Sequence, residues 1–186
     1  MAYGQGDHAG GGESARNNND KVNDVAVAMN TTKIQRSEKP ITPLIPQASE
    51  IVKGQQSRVK DGFGSGQYGS SRDGGTRAHD GIDIIVTAGE DISSPIKGNI
   101  VRQAVPYGND LSYKGIVIEG TDEWLGYQVK IFYAEGLFSG KTSPSQKIGT
   151  AQNIAAKYKG ITNHIHVEVR VAGVLVDPFT IWQYSF

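Results

Sequence analysis

From residue 57 onward the chain is a succession of short runs rich in Ile, Val, Tyr and Phe, each soon cut off by Gly, Asn, Asp or Pro. Runs of this length are too short to build a helical core, but they have the length of strands. The pattern predicts strands over 82–87 (IDIIVT), 98–104 (GNIVRQA), 115–119 (GIVIE), 127–133 (YQVKIFY) and 164–171 (HIHVEVRV), with a hairpin partner at 174–176. Gly173 supplies the backbone freedom for the turn between the last two. Helix is expected only over 151–158 and in DPFTIW, where Asp177 can cap and Pro178 can take the first helical position. The expectation is a mostly-β, antiparallel, loop-rich domain over 57–186.

The first fifty residues read differently. Residues 1–20 are dominated by Gly, Asn, Ser and charge, with Tyr3 the only bulky apolar side chain, which is too little to offset ordering entropy. Residues 21–35 fit a short helix and a strand about equally. Pro40, Pro43 and Pro46 then suggest an extended linker. Residues 1–50 are therefore expected to be a flexible or partner-ordered arm. The N-terminus has neither a basic start nor an apolar core, so it does not read as a secretory signal.

Nineteen basic and nineteen acidic side chains leave a formal net charge of zero, with no block of one sign, which argues against nucleic acid or an anionic membrane as partner. No stretch approaches the ~20 apolar residues of a membrane span. Without cysteine the fold uses neither disulfides nor thiolate ligands.

Chemistry concentrates in two places. His164 and His166 stand two residues apart on an expected strand, so both imidazoles point to one face. Taken alone, the pair could be a surface feature. The stretch HDGID adds His79 and Asp83, with Asp80–Gly81 as a tight turn between them. A carboxylate entering the apolar run IDIIV is costly unless it is paired or bound to a cation. Imidazole and carboxylate are good zinc ligands, and two histidines with one carboxylate leave a fourth position open. Three of the four histidines lie in these two clusters; His8 is the outlier.

HxxxD followed some eighty residues later by HxH resembles the lysostaphin-type zinc endopeptidases. The resemblance runs over about residues 60–182 and includes AGEDISSPIKGNIV, YAEGL, KIGT, NHIHVEV and VDPFTIW. The stretch GSGQYGSSRDGGTRAHDGIDI is closer still to the leukocyte cell-derived chemotaxin-like relatives, which share the zinc site without peptidase activity. The resemblance implies an antiparallel sheet whose groove holds one zinc on His79, Asp83 and His166. It implies that His164 stands beside the metal and handles protons or an oxyanion. In active members a second catalytic histidine follows Tyr-x in a middle strand; here that position is Glu135. Glutamate can serve as a base but cannot donate to an oxyanion while ionised, so Glu135 either works as a base or marks a silent site.

Three functions remain open on these residues: a zinc metalloendopeptidase cutting bacterial cell-wall peptide cross-links, a zinc-stabilised module binding a wall polymer or protein partner, and a component whose arm docks a larger phage-like or secretion particle. Each implies action outside the producing cytoplasm. Glu168 shares the face of the two histidines and could orient an imidazole or pair with Arg170. Tyr68 and Arg77 could line the groove, or pack and be solvated respectively. GFGSGQYG lacks the lysine and helix of a phosphate loop.

Overall fold

The structure is a computed structural model and describes residues 46–184 and 186. The expectations for residues 1–45, including the 21–35 element and most of the proline linker, lie outside the described residues.

The strands in chain order are β1 (Ser71–Arg72), β2 (Arg77–Ala78), β3 (Ile82–Ile85), β4 (Asp91–Ser93), β5 (Gly98–Ala104), β6 (Gly115–Gly120), β7 (Tyr127–Phe132), β8 (Ala134–Gly136), β9 (Gly140–Thr142), β10 (Lys147–Ala151), β11 (His164–Val171) and β12 (Val174–Val176). One four-residue helix, α1 (Phe179–Trp182), and three single-turn 3₁₀ segments complete the described residues. The expected helix over 151–158 is only the 3₁₀ turn Ile154–Ala156.

The largest sheet runs β12-β11-β7-β6-β5-β9, entirely antiparallel, and β3 pairs with β11 as well. β3 and β12 share one edge of β11: β3 takes residues 164–167 and β12 takes 169–171. A second sheet has the order β4-β10-β8, and β1 and β2 form a small ribbon. The turn from β11 to β12 has positive φ at both Ala172 (49°) and Gly173 (80°), which matches the twist of a two-residue hairpin.

β11 shows why the site has a floor. Ile165, Val167 and Val169 are fully buried in the core with Ile82, Ile84, Ile131 and Trp182. Each such side chain contributes about 1.5–3 kcal/mol by leaving water. Strand alternation then sends His164, His166 and Glu168 to the opposite face. The apolar half of the strand anchors the polar half in a fixed register.

The packed unit extends further toward the N-terminus than residue 57. Ala48, Ile51 and Val52 are buried in the same core. The Ala48 amide donates to the Ile181 carbonyl at 2.8 Å, and Trp182 Nε1 donates to the Ser49 carbonyl at 2.9 Å. The aromatic C-terminus closes the core: Trp182 is fully buried and Phe186 packs edge-on against it. Asp177 caps α1, its carboxylate accepting from the Phe179 amide at 3.0 Å.

Candidate metal centre and its cavity

Asp83 and His166 are cross-strand partners in the β3–β11 ladder, so the register alone puts them side by side. His79 arrives through the turn at Asp80–Gly81. A Cβ on Gly81 would lie 2.1 Å from the Val167 carbonyl oxygen and 2.9 Å from His166 Cε1, so only glycine lets this turn lie against β11. The result is a triangle of inward-facing atoms. His79 Nε2 is 2.9 Å from His166 Nδ1, His166 Nδ1 is 2.9 Å from Asp83 Oδ1, and His79 Nε2 is 3.2 Å from Asp83 Oδ1.

This donor set fits a zinc ion. Four ligands at ~2.0–2.1 Å in a tetrahedron stand ~3.3 Å from one another, close to the three separations seen. The surrounding acceptors fix the ring tautomers in the right sense. His79 Nδ1 donates to the Gln67 carbonyl at 2.9 Å, which leaves Nε2 a lone pair turned inward. His164 Nδ1 donates to the Thr162 carbonyl at 2.6 Å, leaving its Nε2 3.8 Å from Asp83 Oδ1. His166 Nε2 faces Glu168 Oε1 at 3.8 Å. Inward lone pairs packed this closely repel unless a proton or a cation sits among them.

The other oxygen of Asp83 is occupied. Arg58 Nε and Nη2 donate to Asp83 Oδ2 at 3.1 and 2.9 Å, and Arg58 also pairs with Asp61 at 2.7 Å. Arg58 and Asp83 are both buried. Burial would raise the Asp83 carboxyl, but the imidazoles of His166 and His79 packed against its Oδ1 hold it well below the usual carboxylate range. Burial pushes His164 down, so it is a neutral imidazole at neutral pH. His166 is raised, because Asp83 and Glu168 outweigh its burial. Glu168 itself is held at about 2: burial opposes this, but His166 and the Lys130 ammonium, 2.7 Å away, prevail. Of the two roles open for Glu168, it sits beside the imidazole rather than with Arg170.

The triangle lines a cavity of about 360 Å³, together with the aromatic side chains of Phe63, Tyr107, Tyr133 and Tyr158 and the arginines Arg72 and Arg77. Arg77 is about half exposed and paired with Asp73 at 3.0 Å, so it is both a wall and a solvated side chain. Tyr68 packs against the core.

Four of the five residues singled out from the sequence thus come together: His79, Asp83, His164 and His166. Glu135 does not. The backbone at Tyr133 has φ 60°, which interrupts the strand between β7 and β8. Tyr133 lines the cavity, Ala134 is buried, and Glu135 is exposed in a separate cleft with Ser112, Tyr113 and Gln152. Its carboxylate is taken by Lys114 Nζ at 2.6 Å. The resemblance placed Glu135 with His164; the structure instead puts it in the cleft with Ser112 and Tyr113, just past the kink at Tyr133.

Arg58 and the Tyr107–Tyr133 pair belong to the site without having been legible in the chain. Arg58 lies 25 residues from its partner, beyond any local motif.

Residues 78–182 match the LECT2 C-terminal domain, a span of more than half the chain. The chain belongs to that family. It is 35% identical over 113 residues to leukocyte cell-derived chemotaxin-2 of Mus musculus, covering 60% of this chain and 71% of that one. Among solved structures, the SpoIIQ–SpoIIIAH pore-forming complex holds a chain with TM-score 0.51 and 16% identity, over 74% of this chain and 91% of that chain, a likeness of fold. The solution structure of lysostaphin superposes with TM-score 0.49 and 17% identity, over 63% of this chain and 48% of that chain. For a member of the LECT2 family, a mostly-β antiparallel fold with few helices and a His–Asp–His cluster is what the structure presents. No helix among the described residues is long and apolar enough to cross a membrane.

Proposed function

We propose that this chain is a zinc-stabilised binding module in which His79, Asp83 and His166 hold one zinc ion and the cavity they line receives a ligand without cleaving it. Zinc bound there supplies positive charge and an open coordination position at the cavity floor. The chain's own residues do the rest. Gln67 and Thr162 carbonyls hold the tautomers of His79 and His164, Arg58 holds Asp83, and the cavity walls meet the ligand.

The observation that carries this reading is the orientation of Glu135. Peptide hydrolysis needs a proton acceptor and a donor for the developing oxyanion, each worth about 10²–10³-fold or more. With Glu135 in a separate cleft and held by Lys114, His164 has no further imidazole beside it beyond the ligand residues, and the other proton-bearing groups of the cavity are the phenols and the carboxyls of Asp80 and Glu168. A relative that carries the name of a chemotaxin points the same way.

One observation favours a second reading, a zinc metalloendopeptidase acting on cell-wall peptide cross-links. His164 is neutral, with its free Nε2 facing the cluster, which is the state of a general base. Incubating zinc-loaded protein with cell-wall muropeptides and titrating new amino groups separates the two. No release, with zinc retained, supports the binding module. Release that disappears in His164→Ala establishes the peptidase instead. Residues 1–50 are proposed as a tether to a larger assembly, and the folded unit already takes in Ala48 at the end of that stretch, with Ile51 and Val52 just past it.

A further inference from the structure

Tyr107 and Tyr133 come from different parts of the chain, the β5–β6 connection and the β7–β8 kink, yet their hydroxyls meet at 3.0 Å. Tyr158 also neighbours the Tyr107 hydroxyl. Three phenols in a row carry three protons, two bonds between them use two, and one proton remains to be donated elsewhere. Both rings line the cavity that holds His79, Asp83 and His166, and Tyr133 stands edge-on to His164 with ring centroids 5.6 Å apart. The pair is held in place: Lys157 lies over the Tyr107 ring at 4.7 Å, and the φ of 60° at Tyr133 turns that side chain to the cavity side. Burial and the neighbouring hydroxyls of Tyr133 and Tyr158 push Tyr107 up, and burial pushes Tyr133 up, so both stay protonated donors at any physiological pH.

The charge of the same cavity selects what they donate to. Its lining carries three arginines, Arg58, Arg72 and Arg77, against three carboxylates, Asp80, Asp83 and Glu168. With a divalent ion on the cluster, and with the paired Asp61, Asp73 and Lys130 counted, one positive charge is left over. The carboxylates of Asp83 and Glu168 are already taken by Arg58 and Lys130. Arg72, by contrast, is largely buried, donates to the Ser65 and Ser71 carbonyls, and has no carboxylate oxygen nearer than Asp83 Oδ2 at 3.8 Å. The walls thus offer spare donors and spare positive charge, while two of the three lining carboxylates, Asp83 and Glu168, are already engaged.

We propose that the Tyr107–Tyr133 hydroxyl pair, with Arg72, reads a carboxylate, and that the ligand of this cavity is a peptide-sized molecule presenting a free carboxylate group. This rests on the reading that one zinc ion occupies His79, Asp83 and His166. Hydrogen bonds to a charged oxygen are about twice as strong as those to a neutral one, so the pair discriminates a carboxylate from an amide. A cavity of about 360 Å³ takes one or two residues of such a ligand.

The test uses the zinc-loaded full chain, with zinc content measured first. Acetyl-Ala-Gly-Ala with a free terminal carboxylate, and the same tripeptide as its amide, are titrated by NMR into the wild type, Tyr133→Phe and Tyr107→Phe. The expected result is tighter binding of the carboxylate than of the amide by tenfold or more in the wild type. Each Phe variant should keep its zinc, lose about tenfold for the carboxylate and show a narrowed carboxylate-to-amide ratio. A ring lost only as structure would lower both affinities together and leave the ratio alone, which would overturn the proposal. So would a wild-type ratio near one, or no carboxylate binding with zinc in place. A wild type that holds no zinc overturns the metal assignment itself, and the charge argument falls with it.

Discussion

His166 Nδ1 lies 2.9 Å from Asp83 Oδ1, across a ladder in which the two residues are direct partners. The closeness of an imidazole and a carboxylate 83 residues apart is a consequence of strand register. A one-residue slip of β3 against β11 would turn Asp83 into the core and destroy the cluster. Three apolar side chains on the other face of β11, Ile165, Val167 and Val169, are what forbid that slip.

Gly81 tests the register directly. Gly81→Ala puts a methyl group against the Val167 carbonyl and His166, and the backbone must move. The expected cost is about 1–3 kcal/mol in urea unfolding, together with weakened zinc binding because His79 moves with the turn. An unaffected midpoint and unaffected zinc affinity would contradict the close approach of this turn to β11.

Arg58 is the buried partner of Asp83 and Asp61. Arg58→Leu leaves the Asp83 carboxylate buried with one oxygen uncompensated. A loss of about 3–5 kcal/mol is expected in chemical denaturation, and zinc affinity should fall about 10–100-fold because the ligand carboxylate loses the partner that orients it through Oδ2. By contrast, Glu135→Gln disturbs only an exposed pair with Lys114. It should change stability by less than about 1 kcal/mol and zinc affinity not at all.

Much of this architecture was legible along the chain. The strands 98–104, 164–171 and 174–176 match the structure residue for residue, because each alternates or is bounded by clear turn residues. The HxH and HDGID clusters were legible because a period of two and a tight turn are local geometry. β1, β2, β4, β8, β9 and β10 are two to five residues long, too short to carry any period. Ala48, Ile51 and Val52 were hidden among prolines and polar residues, and their burial depends on α1, some 130 residues later. The positive φ at Tyr133 has no sequence mark, since tyrosine is not a residue that favours it. Past that torsion the chain enters the second sheet, where Glu135 pairs with Thr150.

Acid should unfold the protein in a definite window. Asp61 is held at about 2: burial opposes this, but the Thr162 and Phe63 amides and Arg58 outweigh it. A depressed carboxyl contributes stability that is present above its unfolded value of about 3.9 and is lost as pH falls through the folded value. Stability is therefore expected to drop between about pH 4 and pH 2, and Asp61→Asn should flatten that slope. Urea midpoints at pH 5, 3.5 and 2.5 check it.

Zinc binding has its own pH dependence. His166 is raised above its ordinary value, and a metal must displace the proton that Asp83 and Glu168 stabilise there. Affinity should fall steadily as pH drops from 7 to 5, well above the window for acid unfolding. Competition with a chromogenic chelator across that range reads it, and a flat profile would mean that His166 is not a ligand.

The most direct measurement is the zinc content of the purified chain after dialysis at neutral pH, beside His79→Ala, Asp83→Asn and His166→Ala. One equivalent in the wild type, and loss of it in all three variants while each remains folded by circular dichroism, is the outcome this structure predicts. A wild type that stays metal-free in micromolar zinc, or an Asp83→Asn variant that loads fully, would contradict it.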